Sequence, residues 1–189
     1  LIQNCSIIDG TGAPAFSGNV AFDSGRLHIF RGGECPPAEK TIDASGLTLV
    51  PGFLDAHSHG DLTLVSPFAT RAKLGQGITT QIAGQCGVSL FPADAAKADT
   101  FSRFVSGIAP YPDLPEHLSQ LDSAKGFFDW LDALQNPLTT KSFVGHGTLR
   151  LWAMGYENRK PDAGELRHMQ DMLRRCIREG ALGLSTGLV

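Results

Sequence analysis

Residues 46–61 read GLTLVPGFLDAHSHGD, an apolar run that ends in His57 and His59. In an extended strand successive side chains alternate faces, so residues two apart share a side. The two imidazoles are expected to point together into the space beyond the strand end, with Asp61 beside them if the strand continues. Imidazoles at i and i+2 on a rigid element form a two-toothed clamp for a transition metal. Core histidines are the plainer reading, since six histidines in 189 residues give roughly 0.2 such pairs by chance. Context favours the clamp. Leu47, Leu49 and Val50, the Pro51-Gly52 bend, then Phe53, Leu54 and Ala56 read as a strand buried on both faces, as parallel sheets require.

Upstream, residues 1–46 read as short strands joined by tight turns. Ile7-Ile8, Val20 to Phe22 and Leu27 to Phe30 are strand material, and DGTG (9–12), DSG (23–25) and DASG (43–46) supply the turns. This is a small β module. Downstream, over residues 47–189, strands alternate with helices. A helix is predicted over 67–74, closed by Gly75 and Gly77, and a β-branched strand over 78–83 leads into Gly84-Gln85-Cys86-Gly87. A helix near 95–105 and a Pro-rich loop at 110–115 follow. Phe127, Phe128, Trp130, Leu131 and Leu134 form a helical core stripe. A third strand at 142–144 enters Gly145-His146-Gly147-Thr148. Asp162 and Glu165 form a capping box for a helix between Pro161 and Gly180. Leu166, Met169, Met172, Leu173, Cys176 and Ile177 are its apolar face, the methionines serving as core filling. Residues 181–187 read as a fourth strand.

Strands alternating with helices argue for βαβ units and a parallel sheet. In a (β/α)8 barrel the chemistry sits at the C-terminal strand ends, and every candidate polar residue here falls at such an end. His57 and His59 follow the first strand, Cys86 the second, His146 the third, and Ser185 and Thr186 close the fourth. Cys86 has three readings: a metal ligand beside the histidines, a small buried residue, or a nucleophile paired with a histidine such as His146. His146 is either a pocket group or a structural histidine. Asp55 and Asp61 are candidate carboxylates for orienting the imidazoles. His28, His117 and His168 receive no role.

The chain carries 42% hydrophobic and 19% charged residues and a formal charge of -3. That is ordinary globular composition, with no basic footprint for nucleic acid. No apolar run approaches the ~20 residues a membrane helix needs, and no leader pattern opens the chain, so a cytoplasmic location is expected. None of the four cysteines forms a CxxC pair; Cys5, Cys35 and Cys176 read as reduced structural thiols. The start at Leu1 without Met and the end at Val189, directly after a strand, suggest residues lost at one or both ends.

At these motifs the sequence resembles the metal-dependent amidohydrolase superfamily, and within it the N-acyl-D-amino-acid deacylases (D-aminoacylases). The matching stretches are IDASG (42–46), VPGFLDAHSH (50–59), GITT (77–80), CGVS (86–89), VGHGTLR (144–150) and GALGLSTGLV (180–189). The HxH motif is common to the superfamily, whereas the cysteine, GHGTLR and LGLSTGLV runs are particular to this branch. The resemblance implies a partial (β/α)8 barrel of about four strands over residues 47–189, preceded by part of a small β-sandwich over residues 1–46. It implies zinc held by His57, His59 and Cys86, the cysteine standing where relatives use a carboxylated lysine. Asp61, His146, Ser185 and Thr186 are the candidate pocket residues.

The implied activity is hydrolysis of the amide of small-molecule N-acyl-D-amino acids. Another amidohydrolase acting on a cyclic or linear amide and an inactive fragment are the alternatives. Two departures stand out: Gly60 where the family commonly has an acidic residue, and Gln85 where it commonly has Asn. A complete barrel needs ~250 residues, so the general base is expected beyond Val189 and no catalytic residue is assigned within the chain. Self-association or a complementary segment is expected to cover the open half barrel.

Overall fold

The computed structural model describes residues 1–108 and 114–187. The first four residues of the expected Pro-rich loop (110–113) and the last two residues of the LGLSTGLV run lie outside the described residues. The chain divides into two compact units, Leu1–Gly52 and Phe53–Val189.

The first unit is one five-stranded mixed sheet, where part of a sandwich was expected. β1 (Ile2–Ile7), β2 (Phe16–Asp23) and β3 (Arg26–Phe30) form an antiparallel meander. The DSG turn closes its second hairpin with Ser24 and Gly25 both at positive φ, the backbone that a two-residue hairpin loop demands. β4 (Ile42–Asp43) and β5 (Thr48–Leu49) both pair with β1 in parallel. Between them Asp43 accepts hydrogen bonds from the backbone N–H and hydroxyl of Ser45. This pairing corrects the expected boundary. Residues 47–52 belong to the first unit, because Leu49 is opposite Ile7 in register. The run 46–56 is therefore two strands separated at Pro51-Gly52, not one.

In the second unit β6 (Phe53–Asp55), β7 (Ile78–Ala83) and β8 (Thr139–Ser142) form a parallel sheet in that order. After Phe143 the chain resumes as β9 (Val144–Gly145), which pairs in parallel with β10 (Leu184–Ser185). The N–H of Leu182 donates to Ser142 O and that of Val144 to Gly183 O, which joins the two sheets edge to edge. The result is an α/β arrangement of consecutive parallel strands. The expectation that the first strand is buried on both faces is not met within this chain: Phe53 and Leu54 are 55% and 56% exposed, on a strand that also lies at the edge of its sheet.

The helices are α1 (Pro67–Leu74), α2 (Ala98–Ser106), the short α3 (Leu114–His117), α4 (Ala124–Ala133), α5 (His146–Met154) and α6 (Ala163–Arg178). α1 and α6 fall where the sequence places them, each with its cap: Ser66 caps α1, and Asp162 with Glu165 forms the full capping box of α6. α5 was not anticipated, because GHGTLRLWAM opens on two glycines that read as loop. On α6, Met169 and Cys176 are buried, but Leu166 and Ile177 are exposed, narrowing the expected stripe. The core gathers Phe91, Phe127, Leu90, Leu121 and Val144. Phe91 and Phe127 stack with ring centroids 4.9 Å apart. No helix among the described residues is long and apolar enough to cross a membrane.

Candidate metal centre

The second unit brings His57, His59 and Cys86 together. One ligand atom from each lies within 4.8 Å of the others. Cys86 Sγ is 3.3 Å from His57 Nε2, and the two imidazole rings are edge-to-face with centroids 6.1 Å apart. Two imidazoles and one thiol form a donor set suited to a borderline metal such as zinc. The Nδ1 of His59 is buried and finds no hydrogen-bond partner among the described residues. Burial, and then repulsion from His57, hold that imidazole below its ordinary pKa, which keeps the ring neutral with a lone pair to offer.

The two imidazoles do lie near one another, but strand alternation does not place them, because the strand stops short of both. β6 ends at Asp55, and residues Gly60–Thr63 form a 3-10 turn. Asp61 is therefore folded inward, 0% exposed, rather than lying beside the histidines on an open wall. Among the described residues neither carboxylate oxygen has a hydrogen-bond partner of good geometry. Burial pushes its pKa up to about 7, partly offset by nearby backbone amides, that of Leu62 foremost. Asp55 does not orient an imidazole. Its carboxylate accepts from Lys73 Nζ at 2.9 Å and more weakly from the backbone N–H of His57, and the lysine holds its pKa below the usual range.

Cys86 is exposed at the tip of a turn with φ +53°, a left-handed backbone unusual for a non-glycine residue. Three contacts hold it there. Ser185 Oγ donates to Gly84 O at 2.5 Å and accepts from Gly87 N–H at 3.1 Å. Gln85 Nε2 donates to Ala56 O at 3.1 Å, fastening the cysteine turn to the residue before His57. Gly145 and Gly187 let neighbouring strand ends close in. A Cβ at Gly145 would meet Gly87 O at 2.5 Å, and one at Gly187 would meet Cys86 O at 2.3 Å.

The other pocket candidates divide. The Ser185 hydroxyl is occupied by the backbone of the cysteine turn. His146 and Thr186 are exposed at the ends of β9 and β10. Cys86 faces His57, and no described contact ties it to His146. The CGVS and GHGT motifs meet: Ser89 N–H donates to Thr148 Oγ1, and Thr148 Oγ1 donates to Ser89 O, both at 2.9 Å. Sequence reasoning missed Ser58, Lys73, Gln81 and Gln85 as builders of the site. The available signal was a glutamine inside the otherwise β-branched run ITTQIA.

Residues 40–188 match the model of the amidohydrolase family. The whole chain is 32% identical to an N-acyl-D-glutamate deacylase of Alcaligenes xylosoxydans xylosoxydans, covering 37% of that protein. It is 35% identical over 99% of its length to an N-acyl-D-aspartate deacylase of the same organism, covering 36% of it. Among solved structures, the N-acyl-D-glutamate deacylase of Bordetella bronchiseptica, complexed with zinc and a phosphonate inhibitor, superposes with a TM-score of 0.83. That pair shares 36% identity over 99% of this chain and 38% of the other. The chain thus spans little more than a third of the length of the relatives it matches.

Proposed function

Because the chain belongs to the amidohydrolase family, we propose that the protein carrying it is a zinc-dependent deacylase that hydrolyses the amide of N-acyl-D-amino acids. The observation that carries this reading is the convergence of His57, His59 and Cys86 within 4.8 Å, in a chain whose relatives include an N-acyl-D-glutamate and an N-acyl-D-aspartate deacylase. The four consecutive parallel strands are read as the first four of a (β/α)8 barrel, and the first unit as one sheet of the accompanying β-sandwich.

His57, His59 and Cys86 would hold the metal. Bound zinc in such a site supplies Lewis-acid polarisation of a carbonyl and acidifies water. The remaining work of this chain is positional. Ser185 and Gln85 fix the cysteine turn, and the neutral imidazole of His59 keeps its lone pair available. Proton transfer to the leaving amine falls to neither nearby carboxylate, since Asp55 is bound by Lys73 and Asp61 is enclosed. That role is read onto a residue outside this chain.

The contact between Cys86 Sγ and His57 Nε2 also suits a thiol nucleophile activated by a histidine. Zinc analysis of the intact protein bearing this chain, paired with assays on N-acyl-D- and N-acyl-L-glutamate and -aspartate, decides between them. The deacylase reading expects bound zinc and release of the free D-amino acid. Turnover that survives complete zinc removal and is blocked by thiol alkylation would replace it with the nucleophile.

A further inference from the structure

We propose that Lys73 is a positioning residue of the candidate metal centre, setting the geometry of His57 and His59 through the hydroxyl of Ser58 between them. The inference rests on the metal reading above. Lys73 reaches from α1 beneath the strand ends and places its ammonium against three acceptors. These are Asp55 Oδ2 at 2.9 Å, Ser58 Oγ at 2.6 Å and Gln81 Oε1 at 2.6 Å. An ammonium has three protons to give, so all are spent. One side chain thereby joins the end of β6, the HxH turn and the middle of β7.

The Ser58 hydroxyl is equally committed. It accepts from Lys73 and from Gly60 N–H at 2.9 Å, and donates to Gln81 Oε1 at 3.3 Å. A hydroxyl offers one proton and two lone pairs, and here each is used. Ser58 N–H also donates to Ile82 O at 3.0 Å. Gln81 is 1% exposed and passes the network to β8 through Thr140 Oγ1 at 2.9 Å. The rotation of the HxH turn, and so the direction of both imidazoles, is therefore set from below by a saturated polar cluster.

The cluster also accounts for Gly60, the departure from the family pattern. A Cβ there would lie 2.0 Å from Gln81 Oε1, so any larger residue at this position would require the glutamine to shift and give up its present contacts. In this chain Gly60, Gln81, Ser58 and Lys73 form one steric and hydrogen-bonded unit. Groups that orient metal ligands are typically worth about 10–100-fold in metal affinity.

The test is cobalt(II) titration of the intact protein bearing this chain, read by thiolate-to-cobalt charge-transfer absorption, with folding checked by circular dichroism. Lys73→Met and Ser58→Ala cut the same link from opposite ends. Each is expected to weaken cobalt binding by roughly 10–100-fold and shift the absorption. The double variant should be no worse than the weaker single one, because coupled partners are not additive. Unchanged affinity and absorption in folded Lys73→Met, or additive losses in the double variant, would overturn the proposal while leaving the metal site standing. If Lys73→Met does not fold, Ser58→Ala reads the link alone, and unchanged binding there overturns it. Folded wild-type intact protein without the thiolate absorption would remove the metal reading itself, and this proposal with it.

Discussion

Cys86 Sγ and His57 Nε2 lie 3.3 Å apart although their residues are 29 positions distant in the chain. The contact exists because β6 and β7 are parallel neighbours, so their C-terminal ends open on the same side. A turn after each strand then suffices to bring a thiol to an imidazole.

Replacing Cys86 with alanine should lower zinc content and deacylase activity together in the intact protein. Loss of one of three donors leaves two imidazoles, a weak site for zinc at neutral pH. Elemental analysis alongside the amide-hydrolysis assay checks this. Activity lost with zinc fully retained would move Cys86 from ligand to nucleophile.

Ser185→Ala should loosen the cysteine turn without touching a donor atom. Two hydrogen bonds to Gly84 O and Gly87 N–H disappear, at a cost of about 1–3 kcal/mol for the groups left unpaired. Urea unfolding measures that loss. Weaker zinc binding in the folded variant is expected to accompany it.

Thr148→Val keeps the shape of a fully buried side chain but removes the hydroxyl that accepts from Ser89 N–H and donates to Ser89 O. About 1–3 kcal/mol of stability should be lost, again by urea unfolding. A neutral result would mean that the loop after Cys86 is held by Ser89 Oγ, which accepts from Gly145 N–H, without help from Thr148.

Acid should weaken α6 through Glu165. Arg159, and then the Asp162 N–H, hold this carboxyl at about 2 against its ordinary 4.5. A carboxyl whose pKa is lower in the folded chain contributes stability that is fully present above the unfolded value and is lost as pH falls through the folded one. The loss therefore falls between about pH 4.5 and about pH 2. Glu165→Gln keeps a capping-box side chain but removes the charge, and its stability should vary less across that window than that of the wild type. Parallel slopes for both proteins in acid unfolding series would contradict this.

Much of this protein was legible in local pattern. Pro67 and Gly75 bracket α1, Asp162 and Glu165 start α6, and the β-branched run 78–83 is β7, because caps and periodicity act within a few residues. The HxH pair and Cys86 were legible for the same reason, as polar residues placed where apolar strands end. Non-local pairing was not legible. Thr48 and Leu49 read as the start of the strand leading to His57, but their hydrogen bonds go to β1, and only the folded sheet shows that the first unit extends to Gly52.

The amino-acid sequence by itself determined which candidate donor atoms follow the apolar strands, since an apolar run and the glycines that close it are properties of a few neighbouring residues. Tertiary structure alone decided what holds those atoms still. Lys73 meeting Ser58 and Gln81, Ser185 reaching back to the Cys86 turn, and Asp61 turning inward depend on the register of parallel strands. A one-residue slip in that register would turn Gln81 and Ser185 to the opposite face and leave Lys73 and the Cys86 turn without them.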